Sequence, residues 1–247
     1  MTAVPQWRGL WELDVLHVPV PGKGHDFWDR SPSAVVVVDG ATPLDESWPQ
    51  DIASFAREIA SRISAACDAR GNDTIERIFK DTITELHEQF PPAGHKRTAG
   101  VTVARIHGDL LELALLGDLV AVAVADDGLH VVSTSRLAEL DEMARQDGTR
   151  AALLANRKLA NVDSGYWVFG DDPGAANHLV VTQLPLASVQ AVLLASDGYL
   201  RGHSTPESAL DEALSQGLRA PTMDAQAAGL AGPDDATAVL LRRLAAR

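Results

Sequence analysis

The chain has 247 residues, 46% of them hydrophobic, with a formal net charge of −13 and a pI near 4.9. It is long enough for one large domain or two small ones with a substantial core, and its acidity argues against a nucleic-acid surface, which needs clustered Lys and Arg. A single cysteine, Cys67, excludes an intramolecular disulfide and a Cys-rich zinc site. No apolar run approaches the ~20 residues that span a bilayer, and the first eight residues lack the basic-then-apolar pattern of a signal peptide, so the cytosol is the expected compartment.

Between Trp7 and Val20 the residues Trp11, Leu13, Val15 and His17 alternate, which predicts a strand. A Gly/Pro loop (Pro21 to Gly24) and His25-Asp26 lead to a buried strand at about 34–39. Helical spacing of Ile52, Phe55, Ile59, Ile63 and Ala66 predicts a helix over 50–69, with Cys67 as a structural thiol inside it. Gly71-Asn72-Asp73 breaks that helix, Asp73 is placed to cap the next at about 74–90, and Pro91-Pro92 stops it. Four strands follow at about 98–107, 110–116, 119–125 and 129–133, with separators short enough to demand antiparallel hairpins. Residues 136–159 read as helical, 165–169, 178–184 and 190–196 as strands, 206–218 and 222–230 as helices, before a last strand. The sum is one α+β domain, mostly antiparallel sheets with paired helices on their outer faces, without internal repeats or long linkers.

Three apolar runs end in acidic turns: Ala34 to Val38 in Asp39-Gly40, Leu113 to Leu116 in Gly117-Asp118, and Val192 to Ser196 in Asp197-Gly198. A fourth, Gly232-Pro233-Asp234-Asp235-Ala236-Thr237, precedes the run Ala238 to Leu241. An Asp beside Gly is also an ordinary turn former. Carboxylates fixed at strand ends and converging on one point, however, repel unless a cation lies between them. Oxygen-only ligands then indicate a hard divalent ion, Mg²⁺ or Mn²⁺.

Asp39-Gly40, Thr98-Ala99, Leu116-Gly117-Asp118, Leu194 to Gly198 and Asp234 to Thr237 occur in the order found in the metal-dependent Ser/Thr protein phosphatases of type 2C, the PPM family, which the chain resembles from about residue 20 onward. The resemblance implies a four-layer α-β-β-α sandwich, two antiparallel sheets flanked by helix pairs, with two Mn²⁺ or Mg²⁺ ions at one end. It implies ligand roles for Asp39, the Gly40 carbonyl, Asp197 and Asp234, a third, more weakly held ion at Asp118, and the position of an N-terminal acidic ligand for Asp26. It implies a phosphorylated protein as substrate, hydrolysed by a hydroxide bridging the two ions; no nucleic-acid or membrane partner is expected. Oligomeric state has no sequence signal.

Several positions depart from the family pattern. Asp39-Gly40-Ala41-Thr42-Pro43 stands where the family has Asp-Gly-His/Met-Gly-Gly, so the His proposed there as proton donor is replaced by Ala41. A phosphate-binding Arg corresponds to Pro21; Lys23 is the nearest cation in sequence and the remaining candidate for phosphate binding. His25 is a candidate proton donor or metal ligand, and equally a solvated loop residue. Lys96-Arg97 is a phosphate-attracting pair or a solvated face, and Asn161, Asp163 and Gly165 are candidates for a flap beside the cleft. The alternatives to a protein phosphatase are a catalytically weak or inactive member that binds or regulates, and a small-molecule phosphomonoesterase.

Overall fold

The computed structural model describes residues 7, 10–21, 24–44, 48, 50–90, 96–134, 136–147, 149–222 and 234–244, without the side chains of 138, 141, 142 and 145. Two five-stranded antiparallel sheets face each other. The first runs β1 (Trp11–Val18), β10 (Ala236–Arg243), β9 (Val189–Ala195), β6 (Val120–Ala125), β7 (Gly128–Val132). The second runs β2 (Phe27–Arg30), β3 (Ala34–Gly40), β4 (Ala99–His107), β5 (Leu110–Leu116), β8 (Val180–Pro185).

The period-2 geometry of a strand explains the unbroken Val run of β3. Val35 and Val37 point between the sheets, against Leu113, Leu115, Leu194, Val239 and Leu241. Val36 and Val38 point outward, under Phe55, Ile59, Ile63, Ile78, Phe79 and Ile83 of α1 (Ile52–Ala69) and α2 (Ile75–Gln89). Both faces are covered, so no position in the run can be polar. The outer face of the first sheet (Val122, Leu193, Leu240) packs on Tyr199, Leu210 and Ala213 of the single-turn helix α5 (Asp197–Leu200) and of α6 (Pro206–Gln216). Each such Leu, Ile or Phe contributes about 1.5–3 kcal/mol on burial. The layers are helix, sheet, sheet, helix, the α+β sandwich expected from the sequence.

Several expectations are corrected. β5 and β6 do not form a hairpin: they belong to different sheets, and Gly117 (φ 106°) turns the chain across the gap while Leu119 plugs the inter-sheet core. Residues 136–159 divide into α3 (Arg136–Asp147) and α4 (Arg150–Arg157), because the Thr149 side chain accepts from Ala152 N and starts a new helix. Thr74, not Asp73, caps α2, while Asp73 pairs with Arg70. Residues 165–169 form two isolated bridges rather than a strand. The four-residue β2 was not expected, being too short for a periodic signal. The helix expected at 222–230 lies outside the described residues but for Thr222.

One buried ion pair was not anticipated. Arg105 and Glu112 face each other across β4 and β5 at 3.2 Å, and the guanidinium also donates to the carbonyls of Arg70, Gly71 and Asp73 in the α1–α2 loop. The Arg70 carbonyl also accepts from Asp73 N (2.9 Å), and the guanidinium adds a partner for all three, so the pair ties the helix layer to the sheet.

Candidate active site

The register of the strands brings the acidic turns to one end of the sandwich. Asp39 lies opposite Gly100 at the end of β3, where β4 begins. Val101 pairs with Leu116, so the end of β5, and Asp118 after it, lies beside that same β4 start. Across the sandwich, Ala195 pairs with Ala238, so Asp197 just past β9 and Asp234 just before β10 emerge side by side. Phe27 pairs with Val38, which puts Asp26, one residue earlier, beside Asp39.

Two glycines permit this convergence. A Cβ on Gly40 would lie 2.6 Å from both His25 O and Ile52 Cγ2, and one on Gly198 would lie 1.8 Å from Asp235 O. Each acidic turn is thus pressed against a neighbouring backbone that only Gly admits.

Asp39, Asp118, Asp197 and Asp234 line one cleft of about 110 Å³, several times the ~30 Å³ share of a liquid water. Its wall also includes Ala41 and Thr42, Thr98, Leu137 of α3, Leu153 and Arg157 of α4, Tyr166, Val168 and Arg201. Gly40, Asp26 and His25 are not part of that wall: Gly40 sits between Asp39 and Ala41 with Ala99 as its ladder partner, and Asp26 is buried behind Asp39. His25 donates its backbone N–H to Asp235 Oδ2. Lys23 lies outside the described residues. Arg97 is committed to Asp51 through two hydrogen bonds of 2.7 and 3.0 Å and Lys96 to Asp171 at 3.6 Å, so neither faces the cleft. Of the expected flap residues, Asn161 (φ 57°) accepts from Val168 N with its side chain and thereby holds Tyr166 and Val168 at the wall.

The electrostatics are those of crowded anions. Loss of water around Asp39 and then the charges of Asp26, Asp197, Asp234 and Asp118 raise its pKa well above the usual carboxylate range. Burial raises Asp26 likewise, with the charge of Asp235 next, partly relieved by the hydroxyls of Thr237 and Ser196. Burial and the charge of Asp197 push Asp234 up to about 6.

Asp235 and Arg201 make contacts in this region that the sequence did not reveal. Asp235 is buried and accepts from the backbone N–H groups of Val20 (2.5 Å), His25 and Asp26 (2.9 Å), pinning the loop before β2 to the start of β10. Arg201 donates from one terminal nitrogen to Asp197 Oδ2 (2.9 Å) and Asp234 Oδ2 (2.7 Å). Burial opposes its charge, but the two carboxylates more than offset that and raise its pKa. Its one available signal was its spacing four residues after Asp197 next to a helix start.

These residues fit hard divalent cations in their chemistry. The donors are oxygen only, several carboxylates repel across one cleft, and the buried Asp26 Oδ2 has no hydrogen-bond partner among the described residues. Among the described residues no three acidic, His or Cys side chains already close on a common point; between Asp197 and Asp234 the guanidinium holds that position.

Neither a protein-family model nor a curated protein matches this chain. Solved structures do. The PPM Ser-Thr phosphatase MsPP from Mycobacterium smegmatis, in complex with cacodylate, superposes with a TM-score of 0.61 at 16% identity, over 94% of this chain and 97% of that one. The serine/threonine phosphatase Stp1 from Staphylococcus aureus gives 0.60 at 13% identity, over 96% of each chain. The catalytic domain of the serine threonine protein phosphatase PstP, in complex with two manganese ions, gives 0.56 at 14%, over 96% of this chain and 99% of that one. The fold is that of the PPM Ser/Thr phosphatases. At these identities the comparison speaks for the sandwich and not for the side chains in the cleft. No helix among the described residues is long and apolar enough to cross a membrane.

Proposed function

We propose that this chain is a divergent PPM-type phosphatase of one domain, using Mn²⁺ or Mg²⁺ to hydrolyse phosphoserine and phosphothreonine on proteins in the cytosol. The observation that carries the reading is the convergence of Asp39, Asp118, Asp197 and Asp234 on one cleft at the end of a PPM-type sandwich. Asp39, Asp197 and Asp234 would hold two cations, with the Gly40 carbonyl and Asp26 assisting and Asp118 serving a third. When bound, the cations supply the nucleophile from water and offset the charge of the phosphoryl group.

The chain's own residues do the rest. Arg157 and Arg201, the two arginines among the described residues of the cleft wall, attract and orient the phosphoryl oxygens in place of the Arg missing at position 21. Leu137, Leu153 and Val168 thin the water around the site. Ala41 has no proton to give, so the leaving oxygen takes its proton from solvent or from a side chain outside that loop.

The test is hydrolysis of an aryl phosphate and of a phosphoserine peptide by metal-stripped protein with added Mn²⁺ or Mg²⁺. Activity should appear with metal and vanish in EDTA. Full activity in EDTA, or a covalent phosphoenzyme, would overturn the reading. One observation favours a second reading, a weak or inactive member that binds a partner: Arg201 already satisfies two of the acidic groups. No turnover with any metal would support it.

A further inference from the structure

Arg201 caps the C-terminal end of α5, four residues beyond Asp197, and its side chain folds back over the turn that carries that Asp. A single guanidinium nitrogen lies 2.9 Å from Asp197 Oδ2 and 2.7 Å from Asp234 Oδ2. Two carboxylate oxygens from separate chain segments therefore already share one cationic partner. Mg²⁺ takes carboxylate oxygens at about 2.0–2.1 Å, so a divalent ion between these two oxygens and the guanidinium nitrogen cannot be present together. Asp39 has no ion pair among the described residues and stays open to a cation.

We propose, on the footing of the phosphatase reading, that Arg201 is the built-in counter-ion of the Asp197–Asp234 pair and that a divalent cation reaches these two carboxylates only by displacing it. The guanidinium keeps the metal-free cleft folded by offsetting repulsion that would otherwise go unscreened in a half-buried site. The same contact lowers metal affinity on this side of the cleft. Cation binding is thus stepwise, tighter beside Asp39 and weaker at Asp197 and Asp234. The displaced side chain remains in the cleft wall.

The experiment is a Mn²⁺ titration of metal-stripped protein, by calorimetry and by the EPR signal of free Mn²⁺, on wild type, Arg201→Met and Arg201→Gln, with melting temperatures of the metal-free proteins alongside. A hydrogen bond to a charged group contributes about 1.5–3 kcal/mol net, and tenfold in an equilibrium constant is about 1.4 kcal/mol. The weaker Mn²⁺ site should therefore tighten at least about tenfold in Arg201→Met, while its metal-free melting temperature falls and is recovered by Mn²⁺. Arg201→Gln keeps a hydrogen-bond donor without the charge, so it should stay folded and still bind Mn²⁺ more tightly than wild type. Equal Mn²⁺ affinity in wild type and the variants, with metal-dependent hydrolysis intact, would overturn the counter-ion and leave the phosphatase reading standing. No Mn²⁺ binding by any of the three would overturn both.

Discussion

Asp39 carries a charge that its surroundings oppose, since it sits at the floor of the cleft facing four other carboxylates. In the metal-free protein that charge is a source of repulsion, and on the phosphatase reading it becomes a ligand once metal binds. Asp39→Asn should therefore raise the melting temperature of the metal-free chain while cutting Mn²⁺-dependent turnover by about 10²-fold or more. Paired melting curves and aryl phosphatase rates check this; wild-type turnover at saturating Mn²⁺ would reduce Asp39 to a turn residue. The neighbouring Ala41 gives a prediction of a different kind. Among the described residues of the cleft wall there is no histidine. General-acid help is worth about 10²–10⁴-fold, and its absence weighs most on a leaving group of high pKa. An aryl phosphate should be cleaved much faster than a phosphoserine peptide, and Ala41→His should raise phosphoserine hydrolysis while changing aryl hydrolysis little. Similar rates on both substrates in wild type would mean that another group donates the proton.

Helix α1 illustrates what a single sequence exposes at the level of elements. Its apolar spacing located it to within two residues, and the same pattern placed Cys67 in the core, where it is buried. Burial pushes the Cys67 thiol up to about 12, Arg105 opposing and Glu112 and Asp68 adding to the shift. The sign follows from proton counting. Above pH ~9 the unfolded chain releases this proton and the folded chain keeps it, so the contribution is complete below that pH and is lost as pH rises toward about 12. The slope for one proton is about 1.4 kcal/mol per pH unit. Cys67→Ala should cost about 1–2 kcal/mol at pH 8, through a small cavity, and in urea melts that deficit should shrink above pH ~9 and change sign by about pH 11. A constant deficit would show that the thiol is not shielded. Long periodic elements such as α1, α2 and β3 were legible because burial on a fixed face writes itself into residue spacing. The β5–β6 crossing was not, because Gly117-Asp118 has hairpin chemistry, and which sheet accepts the next strand depends on Leu119 fitting a core assembled from distant segments. The acidic cleft was legible because each Asp stands at a strand end. Arg201 was not, since its significance appears only once β9 and β10 bring Asp197 and Asp234 together.

Taken as a whole, the molecule is a polyanion of formal charge −13 whose cleft presents at least four carboxylates and, among the described wall residues, two cations, Arg157 and Arg201. Arg201 is held by carboxylates, whereas Arg157, at the end of α4, has no ion pair among the described residues. On the phosphatase reading, a phosphorylated substrate would therefore approach against the net field and be drawn in locally by Arg157, joined by Arg201 once a cation displaces it. Substrate sequences that carry positive charge should counter that field. Two phosphoserine peptides differing only in flanking residues, Lys and Arg in one and Glu and Asp in the other, should differ at least about tenfold in kcat/KM at 0.01 M salt, where the Debye length is ~30 Å. At 1 M salt it is ~3 Å, and the ratio should fall toward one. Because long-range fields act on encounter, kcat at saturation should be nearly the same for the two peptides. Arg157→Ala should raise KM for both peptides by a similar factor, since from its place in the cleft wall it would meet the shared phosphate and not the flanks. A preference that survives 1 M salt would place specificity in direct contacts with the flanking residues, and a preference for the acidic peptide would show that the local guanidinium outweighs the field of the whole chain.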